Sequence, residues 1–297
     1  MNLFALLLGL AIERLLTQLF HLREFHWLDP VFDAAFARAR QWNQAACIVT
    51  AVGVAVLLTL PVMLVSLLLG GAWFNLLYFP FAVFVLLFSL GPRDLKEEVD
   101  EYLAAVTSGD PDRIQRLARE LAEMDVPGED PVQRDRLVER AVFVQANNRI
   151  FGVVFWFLVL GPAGAWMFRV LDLMRRRAAI GSGDSGPDSL QSAIQTLHGI
   201  VAWIPARLLA ASYALAGSFE EAIADWRGYY QNCAMRFFDI NNDVLGCAGM
   251  GATGRASSQC ELEPGAPVRA AMDLVVRALW LIWCPAIAVL TLYELVA

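Results

Sequence analysis

The sequence predicts an all-α protein, a polytopic membrane helical bundle that carries a cytoplasmic helical insert. Hydrophobic residues make up 58% of the chain and charged residues only 18%, which is an unusually apolar balance for a soluble domain. Residues 47–69, 72–90 and 150–168 contain no charged side chain at all. About 20 apolar residues suffice to cross the hydrocarbon core of a bilayer. Because a helix satisfies its own backbone hydrogen bonds in lipid, we interpret each of these runs as a membrane helix.

Membrane helices are predicted at residues 2–22, 46–69, 72–91, 150–172, 198–217 and 276–296. The fifth is the weakest, because Pro205 and Arg207 lie near its middle. In the fourth, the GPAG sequence at 161–164 should allow a kink and the close approach of a neighbouring helix. This helix could also re-enter the membrane rather than cross it, so we expect five or six spans.

These helices divide the chain into segments. Residues 1–90 hold the first three membrane helices, and residues 91–149 form a polar insert whose apolar side chains recur at helical spacing. Residues 150–217 hold the next two membrane or re-entrant helices, with a mobile connection expected at 173–197. Residues 218–275 should form an amphipathic helix (220–245) and then a loop (246–267), and 276–297 hold the last membrane helix.

The distribution of basic residues predicts the orientation in the membrane. With the N-terminus outside, segments 23–45, 91–149 and 218–274 face the cytoplasm and contain 16 of the 23 Lys and Arg residues. Only three, Arg175 to Arg177, then lie in an external connection. The positive-inside rule therefore favours an external N-terminus and a cytoplasmic insert, although this arginine triplet counts against it.

The first helix has a polar face. At 100° per residue, Glu13, Arg14 and His21 fall on one side, and leucines cover the other side. A charge placed at the bilayer centre costs about 2.5–3.5 kcal/mol on insertion scales. This pattern therefore favours a polar site that faces the protein interior. The alternative is a local Glu–Arg pair near the membrane interface.

Further polar residues occur at membrane depth. Asn148 and Arg149 begin the fourth helix, and Arg169 and Asp172 follow on one face of it. The last two form either part of an inward site or an interfacial ion pair worth under about 1 kcal/mol. Arg207 needs a partner in its apolar run, and either Glu13 or Asp172 could supply one.

The sequence excludes several function classes. Its five cysteines are scattered without CxxC spacing, which argues against a disulfide framework and a zinc site. No Walker A, GxGxxG, GxSxG or HExxH motif occurs. The net charge of −7 makes nucleic acid an improbable partner. We therefore predict no catalytic residue, metal or cofactor.

Several stretches resemble the AmpE family of bacterial inner-membrane proteins. They are FALLLGLAIERL (4–15), HWLD (26–29), LQSAIQTLHGIVAWIPARL (190–208), YALAGSFEEAIADW (213–226) and the closing LTLYELV. The family is linked to AmpD, the amidase of muropeptide recycling, and to signalling that controls inducible AmpC β-lactamase. The resemblance implies a regulatory protein of the bacterial inner membrane.

A more distant resemblance is to the CobD/CbiB proteins, membrane enzymes that attach the aminopropanol arm of cobalamin. RDLKEEVDEYLAAVTSGD (93–110) is similar to their Arg-Ser-Leu…Gly-Asp stretch, with Arg93 matching the arginine and Asp94 beside it. GPAGAWMFRVLD (161–172) is similar to another family stretch, with Arg169 matched and Asp172 in place of an asparagine. The family's acidic residues near VQANNRIFGVVFW are missing, and an ATP-dependent synthase needs carboxylates to hold magnesium phosphate. Enzyme activity of this type is therefore improbable.

Three hypotheses remain open at this point. In the first, a regulatory protein binds a small molecule or cell-wall fragment in a polar intramembrane pocket, and the insert meets a cytoplasmic protein partner. The second is a CobD/CbiB-type amide synthase, and the third is a permease for wall fragments or small anions. Small residues at 161–165 would serve either an internal helix contact or a homodimer. The ligand-binding candidates are Glu13, Arg14, His21, Arg93, Asp94, Asn148, Arg149, Arg169, Asp172 and Arg207.

Overall fold

A computed structural model describes most of the chain. The described residues are 28–39, 43–70, 75–90, 94–124, 126, 130–181, 189–232, 240–259 and 263–296. All regular secondary structure in these ranges is helical. The all-α class predicted from the sequence is confirmed.

The helices are introduced here in chain order. The first five are α1 (Asp29–Ala39), α2 (Gln44–Leu69), α3 (Asn75–Ser89), α4 (Leu95–Ser108) and α5 (Pro111–Ala122). Then come α6 (Pro131–Ala146), a π-helical stretch (Asn147–Phe151), α7 (Gly152–Leu160), α8 (Pro162–Gly181) and α9 (Ser189–Ala216). The last are α10 (Phe219–Asn232), α11 (Asn241–Gln259), α12 (Ala266–Ala278), a second π-helical stretch (Leu279–Trp283) and α13 (Cys284–Val296).

Within the described ranges, four helical segments are long and apolar enough to cross a membrane. They are Gln44–Leu69, Pro131–Leu160, Ser189–Ala216 and Ala266–Tyr293, and a shorter apolar helix covers Leu77–Ser89. Side chains such as Val49, Leu57 and Leu68 of α2 are largely exposed, as expected for a surface that contacts lipid. The polytopic membrane bundle predicted from the sequence is therefore confirmed. The predicted helix at 2–22 lies outside the described residues.

The membrane helix predicted over 150–172 is wrong in its bounds: the candidate span is Pro131–Leu160, which begins within the predicted insert, and the helix is interrupted at Gly161. Gly161 has φ 67° and ψ −153°, and α7 ends just before it while α8 starts just after it. A Cβ at Gly164 would collide with Trp156 O and Leu160 Cβ, so the first turn of α8 lies directly against α7. The kink and close approach predicted for GPAG are both present, and Gly164 serves an internal helix contact.

Two predicted connections are wrong. Most of 173–197 is helical, because α8 continues to Gly181 and α9 begins at Ser189. The predicted loop at 246–267 is largely occupied by α11, which deviates from helical backbone angles at Gly254. Several glycines of this segment permit close packing, as at Gly249, where a Cβ would lie 2.5 Å from the Phe143 ring.

The chain divides into two compact units, which we describe separately. Unit 1 comprises residues 1–92 and 148–203. In it, α8 packs against α1, α2, α3 and α7. Two tryptophans also tie its helices together, since Trp166 Nε1 donates to Leu58 O at 2.9 Å and Trp156 Nε1 donates to Val201 O at 3.1 Å.

Unit 2 comprises residues 93–147 and 204–297. It combines the helices of the insert (α4, α5 and α6) with α11 and α12, both of which pack against α6. The insert is amphipathic: Val99, Leu117 and Leu121 are buried, and charged side chains cover its surface. Each insert helix begins with an aspartate cap, at Asp94, Asp110 and Asp130, as expected for a sequence rich in helix-start signals.

Candidate functional site

Three arginine side chains surround the buried carboxylate of Asp172 in unit 1. Arg169 Nη1 donates to Asp172 Oδ2 at 3.1 Å, and Arg176 Nε donates to the same oxygen at 3.0 Å. Arg175 Nη2 donates to Asp172 Oδ1 at 2.9 Å. All four residues belong to α8 at spacings of three or four, which bring side chains to one helix face. We call these four residues the Asp172 cluster.

Burial makes this cluster different from a surface ion pair. Asp172 is 0% exposed and Arg169 is 1% exposed. The Arg169–Asp172 ion pair considered from the sequence is present, and both side chains are buried inside unit 1. Charges so deeply buried are tolerated only when they are paired and hydrogen-bonded. The three guanidinium groups meet this requirement for the Asp172 carboxylate.

Helix α9 contributes His198 and lies beside the cluster. The His198 ring lies 5.6 Å from the Phe168 ring between centroids and is buried. His198 also lies close enough to interact with Asp172. A buried imidazole is therefore found beside the arginine-rich face of α8.

Asn148 and Arg149 are also buried in unit 1, with 1% and 4% exposure. They belong to the π-helical stretch Asn147–Phe151. Short π-helical turns of this kind occur frequently at functional sites. Both side chains are therefore enclosed by protein, and their role as ligand-binding candidates stays a prediction.

The remaining described candidates belong to unit 2. Arg207 of α9 donates to Asn241 Oδ1. The carboxylate partner expected from the sequence stays a prediction, because Glu13 lies outside the described residues. Asp94 is exposed and accepts a hydrogen bond from Lys96 N at 3.0 Å as the N-cap of α4. Its described role is helix capping. Glu13, Arg14, His21 and Arg93 lie outside the described residues and stay predictions.

Sequence reasoning missed Arg175 and Arg176. Both lie in the predicted connection at 173–197, and in a segment without helical structure a spacing of three or four residues does not bring side chains together. Their separation from Asp172 by three and four residues was nevertheless visible in the sequence, and it would have identified them once α8 was extended.

The insert contains a second buried polar network that the sequence reading missed. Tyr102 Oη donates to Asp135 Oδ1 at 2.5 Å, and Arg134 Nε donates to Tyr102 Oη at 3.2 Å. Gly265 N, at the start of α12, donates to Asp135 Oδ2 at 2.7 Å. Burial, followed by the contact with Asp135, raises the pKa of Tyr102, so its hydroxyl stays protonated as a donor.

Glu139 lies one turn further along α6 and is also buried. Thr253 Oγ1 of α11 donates to Glu139 Oε1 at 3.3 Å. The spacing of Asp135 and Glu139 relative to Val138 and Val142 places both carboxylates on the apolar face of the helix.

The three arginines around Asp172 supply N–H donors of the kind that bind anions. Arginine presents several N–H donors in a fixed planar fork that matches carboxylate and phosphate groups. Within the part of the chain that the structure describes, no group of three or more His, Cys, Asp or Glu side chains could hold a metal ion.

Comparison with known proteins identifies the family. Residues 1–295 match the family model described as regulatory signalling modulator protein AmpE. The chain belongs to the AmpE family. It is 28% identical over 243 residues to Protein AmpE of Shigella flexneri, which covers 76% of this chain and 78% of that protein. This AmpE-family chain is accordingly a multi-pass membrane protein.

The CobD relationship is also present. The chain is 30% identical over 202 residues to the cobalamin biosynthesis protein CobD of Stutzerimonas stutzeri, covering 67% of this chain and 62% of the relative. It is 27% identical over 176 residues to CobD of Chromobacterium violaceum. This match covers 58% of this chain and 53% of the relative. The chain thus spans less than two thirds of the length of either CobD relative. No solved structure is detectably similar to it.

Proposed function

We propose that this AmpE-family protein is an inner-membrane sensor in β-lactamase induction and muropeptide recycling. The Asp172 cluster is its ligand-sensing element, and the insert reports to a cytoplasmic protein partner. The ligand in this proposal is an anionic cell-wall fragment. The family match supports the regulatory role, and the residues of unit 1 support the choice of ligand.

The observation that carries the proposal is a buried carboxylate, Asp172, that pairs with three arginines, of which Arg169 is buried and Arg175 and Arg176 are partly exposed. A guanidinium held in a low-dielectric site interacts more strongly with an anion than it does in water. An anionic ligand that competes with Asp172 for these arginines would change the packing of α8. Because α8 packs against α1, α2, α3 and α7, such a change would shift the helices of unit 1 that contact it.

In the proposal, signal output occurs through unit 2. Asp135 of the insert binds the backbone of Gly265 at the start of α12, and α12 begins a candidate membrane span. The insert and the membrane helix are therefore mechanically joined within one unit. A partner bound to the insert would respond to movement of that helix.

The proposal places the insert in the cytoplasm of a bacterial cell. The excess of Lys and Arg in segments 91–149 and 218–274 supports this orientation. Their common side is supported by unit 2, where α11 packs against α6 of the insert. Labelling of single cysteines in intact cells tests it: a cysteine replacing exposed Glu97 should react only with membrane-permeant reagents. Reaction with an impermeant reagent would reverse the orientation.

The functional test is β-lactamase induction in a deletion strain that expresses the wild type or a variant. Arg169→Gln and Arg149→Gln probe the buried residues of unit 1, and Glu13→Gln and Arg207→Gln probe the other sequence candidates. The matched control is Arg177→Gln. Arg177 follows the cluster on α8, but its ion pair with Asp33, with Nη2 2.6 Å from Oδ2, is partly exposed.

Membrane abundance is measured for every strain. The proposal predicts altered induction for Arg169→Gln at normal abundance, with induction in the Arg177→Gln strain unchanged. Unaltered induction for an abundant Arg169→Gln protein would remove the cluster from signalling. Loss of the Arg169→Gln protein from the membrane would assign the arginine to structure alone.

A second candidate function is a CobD-type amide synthase, which the two CobD relatives favour. It predicts nucleotide hydrolysis coupled to amide formation by the purified protein. Hydrolysis that depends on an added amine would support this alternative. A protein that binds a wall fragment without nucleotide turnover would support the sensor.

A further inference from the structure

We propose that α10 is an interfacial helix that lies along the membrane surface and inserts one apolar face into the lipid headgroup region. The proposal concerns unit 2 and does not depend on the signalling role. It specifies the lipid bilayer as the partner of a surface that is not part of any predicted membrane span.

Helix α10 has three distinct faces. At 100° per residue, Phe219, Ile223 and Trp226 lie within about 60° of one another. Glu220, Ala224 and Arg227 form a second face and are all exposed. Glu221, Ala222 and Asp225 form the third. Each face is thus separated from the other two by roughly a third of the helix circumference.

The third face is occupied by α11. A Cβ at Gly251 would lie 2.9 Å from Ala222 Cα and 3.0 Å from Asp225 Oδ2. A Cβ at Gly254 would come still closer to Glu221 Oε2. The glycines of α11 therefore allow the two helices to pack closely, and this contact fixes the rotation of α10 about its own axis.

Because α11 covers the third face, the apolar face of Phe219, Ile223 and Trp226 is not part of the contact with α11. It also lies on a different side of the helix from the polar face of Glu220, Ala224 and Arg227. Phe219 is 55% exposed, and Ile223 and Trp226 are half-buried. Large apolar and aromatic side chains on one face, with charged residues on another, are the pattern of a helix at a membrane interface. Tryptophan in particular is enriched at the level of the lipid headgroups.

The apolar face continues an adjacent lipid-facing surface. Helix α9 is a candidate membrane span that ends at Ala216, and Leu215 in its last turn is 67% exposed. Only Gly217 and Ser218 separate the two helices, and Ser218 N donates to Ala252 O at 2.9 Å. Since a span that ends at Ala216 leaves the hydrocarbon there, Phe219 is placed at the boundary between lipid and water.

The charge of α10 determines the kind of lipid contact. Its described side chains include three acidic residues, Glu220, Glu221 and Asp225, and one basic residue, Arg227. Anionic headgroups attract basic segments and would repel this one. The contact therefore rests on insertion of apolar side chains and does not require anionic lipid.

The experiment uses the full chain in zwitterionic lipid bilayers, with a nitroxide at a single cysteine in a cysteine-free background. Labels replace Phe219 and Ile223 on the apolar face, and Glu220 and Ala224 serve as matched controls on the polar face. Collision rates with oxygen, which partitions into lipid, and with a water-soluble nickel complex are then compared. We expect an oxygen-to-nickel ratio several-fold higher at 219 and 223 than at 220 and 224.

Three results would overturn the proposal. Equal ratios at all four positions would place the apolar face in water. Shielding of 219 and 223 from both reagents would show that protein covers the face. Line broadening that grows with protein density would identify that cover as a second copy of the chain.

Two further measurements keep the test decisive. Phe219 is already exposed, so its variant decides the outcome if the Ile223 variant does not fold. Adding anionic lipid should leave the ratio at 219 unchanged. A rise in that ratio only with anionic lipid would contradict contact by apolar insertion.

Discussion

Tyr102 and Asp135 join the first and third helices of the insert through a buried hydrogen bond of 2.5 Å. The other carboxylate oxygen of Asp135 accepts from the backbone of Gly265, so one aspartate connects α4, α6 and the start of α12. Each oxygen of this buried carboxylate accepts a hydrogen bond from a defined donor, and this fixes the position of the side chain. The insert is therefore an integral part of unit 2, and not a separately hinged surface hairpin.

Replacing Tyr102 by phenylalanine should destabilise unit 2. The variant removes a donor from a buried carboxylate, which costs about 1–3 kcal/mol. The measurement is the free energy of unfolding in detergent, together with amide exchange at Gly265. Thr107→Val on the same helix is the control, since Thr107 is exposed and donates only to Leu103 O within α4. Equal stability of the two variants would show that the hydrogen bond contributes little.

Asp172→Asn should be the most damaging single change in unit 1. Removing one partner from a buried ion cluster costs about 3–5 kcal/mol, because the remaining charges stay buried. Asp33→Asn is the matched control. It also removes a carboxylate from an arginine of α8, but at an exposed position, where an ion pair contributes about 0–1 kcal/mol. Thermal melting and membrane abundance provide the comparison, and similar losses for both variants would contradict the assigned burial.

Gly249→Ala should loosen the contact between α11 and α6. The added methyl group would overlap the Phe143 ring, and overpacking of this kind costs about 1–3 kcal/mol. Gly53→Ala is the control, because nothing lies within 4 Å of a Cβ at that helical position. Alanine there should be neutral or stabilising by up to about 1 kcal/mol. A melting temperature lowered by Gly53→Ala as much as by Gly249→Ala would refute the prediction.

Gly161→Ala should disturb the junction between α7 and α8. Its φ of 67° with ψ of −153° lies in a region open almost only to glycine, and strain of this kind costs about 1–3 kcal/mol. The readout is resistance of the folded protein to thermal unfolding. Ala163→Ser, in the first turn of α8, changes a neighbouring residue without demanding unusual backbone angles. It should therefore melt like the wild type.

The sequence allowed prediction of a membrane helix such as α2 because its signal is local. A long charge-free run such as that of α2 is stable in lipid as a helix, because a helix satisfies its own backbone hydrogen bonds. Its secondary structure and approximate ends therefore follow from its length. The same reasoning gave the kink at Gly161 and the close approach at Gly164. It could not give α11, since composition does not distinguish glycines that form turns from glycines that let helices touch.

The candidate site was only partly predictable for a related reason. Arg169 and Asp172 stood out because they interrupt an apolar run. Arg175 and Arg176 did not, because a charged segment next to GSGDSG was interpreted as loop. Asp135 shows the opposite error, since charge suggested solvent exposure where helical spacing indicated burial. Charge alone is thus a poor guide to burial when a polar network satisfies each group.

The π-helical stretch at Asn147–Phe151 has a consequence for comparing this chain with its relatives. A π turn holds one more residue than an α turn, because its hydrogen bonds close from i to i+5. Removing one residue there would leave a regular helix with both flanking faces still aligned. A relative that lacks the π turn should therefore align with a one-residue gap at this position, and forcing an ungapped match would rotate every later position of the helix by about 100°.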